Sequence, residues 1–263
     1  EINTRNTIFN KIHKTEKIKI KADFQSIACG EINEQIGSYD NWLNNGAITE
    51  SLINCQNGIV KISGMGIYKA KCTVSNLLPN GLINIANSDF QCSVSKIYAS
   101  GATSGKVQLI NLQGTGTHSI IGTKFEFCGF SPGSNLPNNW DPSLICISGE
   151  STNSFSDLSF THPDSNNPST NEICQTRLIK IEGSCSLDAI QCNFYDTSCY
   201  TDGGAFYIGG GNCLISKSKF SKNSCERNGH SLYLTGKTTN VTISDNCEFS
   251  DNSKSKKGSQ IFI

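Results

Sequence analysis

Three acids close together, Asp188, Asp196 and Asp202, four histidines and thirteen cysteines are the residues of this chain best suited to chemistry. Glycoside hydrolysis needs two carboxylates facing one cleft, and a calcium-dependent elimination needs an acidic cluster beside a base. Neither is met, because Asp188, Asp196 and Asp202 share one repeat unit at positions that fall on different faces. His13, His118, His162 and His230 are scattered, and none has a cysteine or carboxylate at metal-ligand spacing. The expectation is therefore no catalytic constellation, no metal and no cofactor.

The cysteines contain no C-x-x-C pair, which argues against zinc or thioredoxin chemistry and for structural disulfides made outside the cytosol. Thirteen is odd, so at least one thiol is left over. The sequon Asn240-Val241-Thr242 agrees with a secreted, glycosylated protein at a cell surface. No leader or membrane-spanning segment is evident, which points to a leader already removed or to an excised piece. Lys plus Arg (22) balances Asp plus Glu (22), so no overall field favours nucleic acid. Only the start is basic: Arg5, Lys11, Lys14, Lys17, Lys19 and Lys21 oppose Glu1 and Glu16. That stretch reads as a solvated leading segment.

The elements that would position these residues form a repeat. An apolar-x-apolar pair recurs as Val60/Ile62, Ile83/Ile85, Val107/Leu109, Ile145/Ile147, Ile179/Ile181, Phe206/Ile208, Leu232/Leu234 and Ile261/Ile263. The steps are 23, 24, 38, 34, 27, 26 and 29 residues. A second strand follows in phase, as Ile85 to Phe90, Ile121 to Phe125, Leu158 to Phe160, Ile190 to Phe194, Ile215 to Phe220 and Ile243 to Phe249. Units of this length with no helical periodicity cannot bury an apolar face alone, but coiled into a stack they pair strand on strand, about 4.8 Å apart. The predicted fold is all-β: a right-handed, single-stranded parallel β-helix of about eight coils over residues 47–263. A leucine-rich repeat lacks its Leu-x-x-Leu-x-Leu frame here. Residues 1–46 are expected to hold a first strand, Ile18 to Phe24, and a polar capping loop from residue 30 around Trp42.

The phase of the repeat stacks Cys199 over Cys225, and Cys185 nearly over Cys213. Stacked Cα atoms about 4.8 Å apart fall within the roughly 4.4–6.8 Å range of disulfides, so Cys199–Cys225 and Cys185–Cys213 are predicted as bridges between adjacent coils.

At Gly203-Gly204-Ala205-Phe206, Phe220-Ser221-Lys222-Asn223 and Phe249-Ser250-Asp251-Asn252 the chain resembles the polymorphic membrane protein repeat, with its GGA-aliphatic and Phe-x-x-Asn hallmarks. The resemblance covers mainly residues 178–263. It implies a pectin-lyase-like β-helix displayed on a surface, with adhesive or architectural roles. Earlier units keep the apolar pairs but lose both motifs. Pectin-lyase-like folds include enzymes, but the polygalacturonase-like signature is broken: Gly229-His230 is followed by Ser231, and the basic run Arg177 to Lys180 precedes it.

The two long steps come from insertions at 131–143 and 161–175, which carry five of the six prolines. Both follow a Phe strand, so they should form one protrusion on a flank. Trp140, with Asn138 and Asn139 beside it, is the candidate binding group there, for glycans or a surface receptor. The final strand, Gln260 to Ile263, lacks a polar cap, which invites end-to-end stacking of another copy or a neighbouring domain, and hence a filament. The alternatives are a polysaccharide-active enzyme with an unrecognised site and a passive glycan-binding module.

Overall fold

The computed structural model describes residues 30–32, 53–63, 66–71, 81–102, 108–126, 128–131, 141–161, 176–236, 239–252 and 259–263. They form strands and turns, with no helix among the described residues. Every strand pairing is parallel to a strand about one repeat away, and three eight-stranded sheets wind up the molecule as a parallel β-solenoid. The Ile18 to Phe24 strand lies outside the described residues. Gly30–Ile32 is a strand on Val60–Ile62, where a capping loop was expected.

The first sheet shows the true repeat. Its register runs Ile53, Ile83, Ile110, Ile145, Ile179, Phe206, Leu232, Ile261. Two expected pairs are thereby displaced. Val60/Ile62 belongs to the second sheet, against Phe90 and Cys92, and the first-sheet pair in the third coil is Ile110/Leu112, not Val107/Leu109. For the third coil the cause is the apolar residue just before the pair: Leu109 is buried, as are Leu82, Leu144, Leu178 and Ala205 in their coils, so alternation alone admits two phases. Eight coils is also too many, since the last first-sheet strand, Ile261–Phe262, opens a turn that no described strand of the other sheets completes.

Corners are made by left-handed residues. Between the first and second sheets stand Asn57, Asn87, Gly114, Gly149 and Gly183, all with positive φ, and at the next corner Val94, Gly122, Asp157, Gln191, Lys217 and Asp245. Stacking puts these corners against one another: a Cβ on Gly149 would lie 2.6 Å from the Gly114 carbonyl oxygen. Gly204 of the Gly-Gly-Ala motif is needed for the same reason, its Cβ falling 2.1 Å from the His230 oxygen.

The core is a set of side-chain columns. In the third sheet Phe125, Phe160, Phe194, Phe220 and Phe249 stack in register, with ring centroids 4.7, 5.4, 4.7 and 4.7 Å apart. Such contacts add about 0.5–1.5 kcal/mol each beyond area burial. Phe90 is not part of this ladder. It lies opposite His118 in the second sheet, and Ile97 holds the ladder position of its coil.

The corner after the ladder is closed by asparagine. Asn223 Nδ2 donates to the Phe194 carbonyl at 3.0 Å and to Asn252 Oδ1 at 3.1 Å, while its Oδ1 accepts from the Thr197 amide and hydroxyl. Asn252 repeats the contact on the Phe220 carbonyl at 2.8 Å. The Phe-x-x-Asn motif thus satisfies backbone groups that the turn would otherwise leave buried and unpaired.

Candidate functional site

Trp140, Asn138 and Asn139 lie outside the described residues, as do His13 and His162. Asp188, Asp196 and Asp202 are held apart: Asp188 is within the second-sheet strand Ser186–Ile190, and Asp196 is a left-handed corner residue. Asp202 is occupied in the next loop, accepting from the Asn228 backbone amide at 3.0 Å and its side-chain nitrogen at 3.2 Å. No acid pair faces a common cleft among these three. The sequon residues Asn240 and Thr242 are exposed on the strand Asn240–Ser244.

The four cysteines expected to bridge are thiols. Cys199 and Cys225 do pair in register, but side chains from neighbouring parallel strands leave in the same direction, so their Cβ atoms keep the strand spacing of about 4.8 Å. A disulfide needs roughly 3.5–4.5 Å. Each sulfur is instead turned to its own loop, Cys199 Sγ lying 3.1 Å from Thr201 Oγ1 and Cys225 Sγ donating to the Asn228 carbonyl at 3.2 Å. Cys185 misses Cys213 by two positions, because Leu187 is the true partner of Cys213. Burial pushes the Cys185 thiol up to about 11 and that of Cys225 up to about 12, far from thiolate chemistry. Cys55, outside both expected pairs, is disulfide-bonded.

The two described histidines are structural. His118 is enclosed, with Nδ1 2.7 Å from Asn153 Oδ1 and Nε2 3.1 Å from the Ser88 carbonyl. Asn153 is oriented by donating to the carbonyls of Ser151 and Ser186. Desolvation holds the His118 pKa below its usual value despite these contacts. His230 Nδ1 accepts the Cys225 amide at 3.2 Å, and its buried Nε2 has no hydrogen-bond partner.

Two features stand out on the solenoid. The first is a charged cluster on the outer face of the first sheet. Lys180 Nζ lies 2.6 Å from Asp141 Oδ2 and 2.7 Å from Glu182 Oε1, while Arg177 Nη1 lies 2.8 Å from Asp141 Oδ1. The Arg177 guanidinium is 4.7 Å from the Tyr207 ring centre and also reaches Thr201 Oγ1. Burial opposes the charge on Lys180, yet the contacts of Asp141 and then Glu182 hold its pKa above the ordinary lysine value. From Tyr207 a row of stacked rings runs through Tyr233 to Phe262, at 5.4 and 5.2 Å. Sequence reasoning noted Arg177 to Lys180 only as a misplaced motif. The usable signal was Lys180 and Glu182, two apart on one strand and hence on one face.

The second feature is the C-terminal end of the core. Val241 and Ile243 occupy the columns in which Cys213 and Ile215 are buried one coil earlier, but Ile243 is exposed and Val241 half-buried. Phe249 and Ile261 are likewise half-buried, and Ile263 is 91% exposed. The strand Asn240–Ser244 is the last of its sheet among the described residues, and so are Glu248–Ser250 and Ile261–Phe262 of theirs. No protein-family model matches the chain, and no curated protein and no solved structure matches it.

Proposed function

We propose that this chain is an extracellular structural or adhesive module, a right-handed β-helix of a cell-surface or filament-forming assembly. It stacks through its ends and binds glycans or a surface receptor through its flank loops. The observation that carries this reading is that, among the described residues, the strands Asn240–Ser244, Glu248–Ser250 and Ile261–Phe262 each have a free edge and the inward columns of Val241, Ile243, Phe249 and Ile261 are only partly covered. Edge strands template the pairing of another chain, and the columns present the apolar surface such a coil would cover. The outer face of the Phe262 ring extends the offer, since its inner face stacks on Tyr233.

A second copy that meets this end head to tail repeats the contact and builds a filament. Sedimentation at several concentrations tests it. The natural chain grows with concentration, and Ile243→Lys combined with Phe262→Lys abolishes the growth. A single 28.5 kDa species at every concentration overturns self-stacking.

A further inference from the structure

We propose that the basic segment Lys17 to Ala22 of a second copy of this chain adds as a strand to Asn240–Ser244, along the edge that is free among the described residues. This docking is one form of the end-to-end stacking proposed above and rests on it.

Charge on the outer surface of the second and third sheets alternates from one turn to the next. Lys217, Lys219 and Lys222 stand on one turn, and Asp245, Glu248 and Asp251 stand against them on the following one. The Lys217 amide donates to the Asp245 carbonyl at 2.8 Å, Lys219 Nζ lies 3.1 Å from Glu248 Oε2, and the Lys222 amide donates to the Ser250 carbonyl, next to Asp251, at 3.1 Å. One turn earlier Asp196 occupies the column of Lys222, so that column reads acid, base, acid. Residues 240–252 contain three acids and no Lys or Arg, and Asp245, Glu248 and Asp251 are all exposed. Like charges directly opposite one another oppose pairing, so a strand that extends this pattern is basic.

The edge sets an apolar requirement as well. Ile243 is 38% exposed, whereas Ile215, its partner in register, is 0% exposed. An occupant must therefore be apolar at alternate positions and basic between them. Lys17-Ile18-Lys19-Ile20-Lys21-Ala22 has that pattern, within a stretch where six bases oppose Glu1 and Glu16. Laid parallel, Ile18 and Ile20 fall over Val241 and Ile243, and Lys21 falls nearest the Asp245 corner. The main-chain hydrogen bonds of such strand addition supply affinity, and the alternate side chains supply the choice of segment. Lys254, Lys256 and Lys257 of the same chain are also basic, but residues 253–258 contain no apolar side chain to cover Ile243.

The test is a charge swap in the full chain, read by sedimentation at several concentrations. One variant carries Lys19→Glu with Lys21→Glu, the other Asp245→Lys with Asp251→Lys. Both corners accept lysine, since Lys217 and Lys222 hold the same left-handed φ, 50° and 56°. The natural chain is expected to associate, and each folded variant alone to do so at least about tenfold more weakly. Mixed, the two variants should form a one-to-one complex, because the acidic segment of one meets the basic edge of the other. A labelled peptide of residues 15–26 should bind the natural chain and not the Asp245→Lys, Asp251→Lys variant. If the natural chain associates and the Lys19→Glu, Lys21→Glu variant does so equally, the segment is wrong and end-to-end stacking stands. If the natural chain stays monomeric yet binds the peptide at this edge, the segment stands and stacking into filaments is overturned. Neither association nor peptide binding overturns both. Association lost only on replacing Lys254, Lys256 and Lys257 by Glu assigns the acids to the chain's own lysines and overturns the docking.

Discussion

Val94 holds a φ of 48° at a corner where its stacked neighbours are Gly122, Asp157 and Gln191. A β-branched residue in the left-handed region is strained by about 1–2 kcal/mol, and Val94, 72% exposed, recovers little of that through packing. Val94→Asn is expected to raise the unfolding free energy by about 1 kcal/mol, measured by urea denaturation. His118 makes the second prediction at this scale. Its folded pKa lies below the 6.5 of an ordinary histidine, so the unfolded chain takes up the proton first. The stability linked to His118 is therefore complete above about pH 6.5 and is lost as pH falls towards the depressed folded value. Denaturation at pH 7 and pH 5 should show a smaller loss in His118→Gln than in the natural chain. An equal loss in both would remove His118 from the account.

The phenylalanine ladder is the element that sets how coils seat on one another. Phe194 has stacked rings on both sides, Phe160 and Phe220, and the edge of Phe206 against it. Phe249, at the open end, stacks only on Phe220 among the described rings. Phe194→Ala should cost about 3–5 kcal/mol, and Phe249→Ala clearly less, because a cavity at the end can be filled by water or relax. Comparable losses for the two would mean that the end is covered in solution. The asparagine corner behaves in the same way. Asn223 satisfies backbone groups on both sides of its turn, so its removal leaves buried donors and acceptors unpaired, whereas exposed corner residues such as Asp245 carry no such role.

At the scale of the molecule, the parallel stack was legible because inward residues alternate and recur at near-constant steps, and because Phe220/Asn223 and Phe249/Asn252 mark one corner twice. What misled was local. Leu109-Ile110-Asn111-Leu112 offers two apolar phases, and only pairing with Ile83 and Ile85 selects one. Phe90 carries the right residue type in the wrong sheet, since side-chain chemistry does not say which of three sheets a strand joins. The Cys199–Cys225 bridge fails because the Cβ bonds of parallel neighbours run in the same direction, and the Cys185–Cys213 bridge because the register is two residues off. Asp141 was invisible as a partner of Arg177 and Lys180, since it stands outside the repeat and reaches them only through an insertion of irregular length.

The stacked columns and the free edges of Asn240–Ser244 and Ile261–Phe262 among the described residues motivate the central proposal, that these edges template a further coil. Hydrogen exchange of the edge-strand amides, followed from dilute to concentrated solution, tests it most directly. The account predicts that amides of Asn240–Ser244 and Ile261–Phe262 exchange quickly when dilute and slow as concentration rises, while those of Arg177–Gly183 stay protected throughout. Exchange at the edge strands that is the same at every concentration would contradict it.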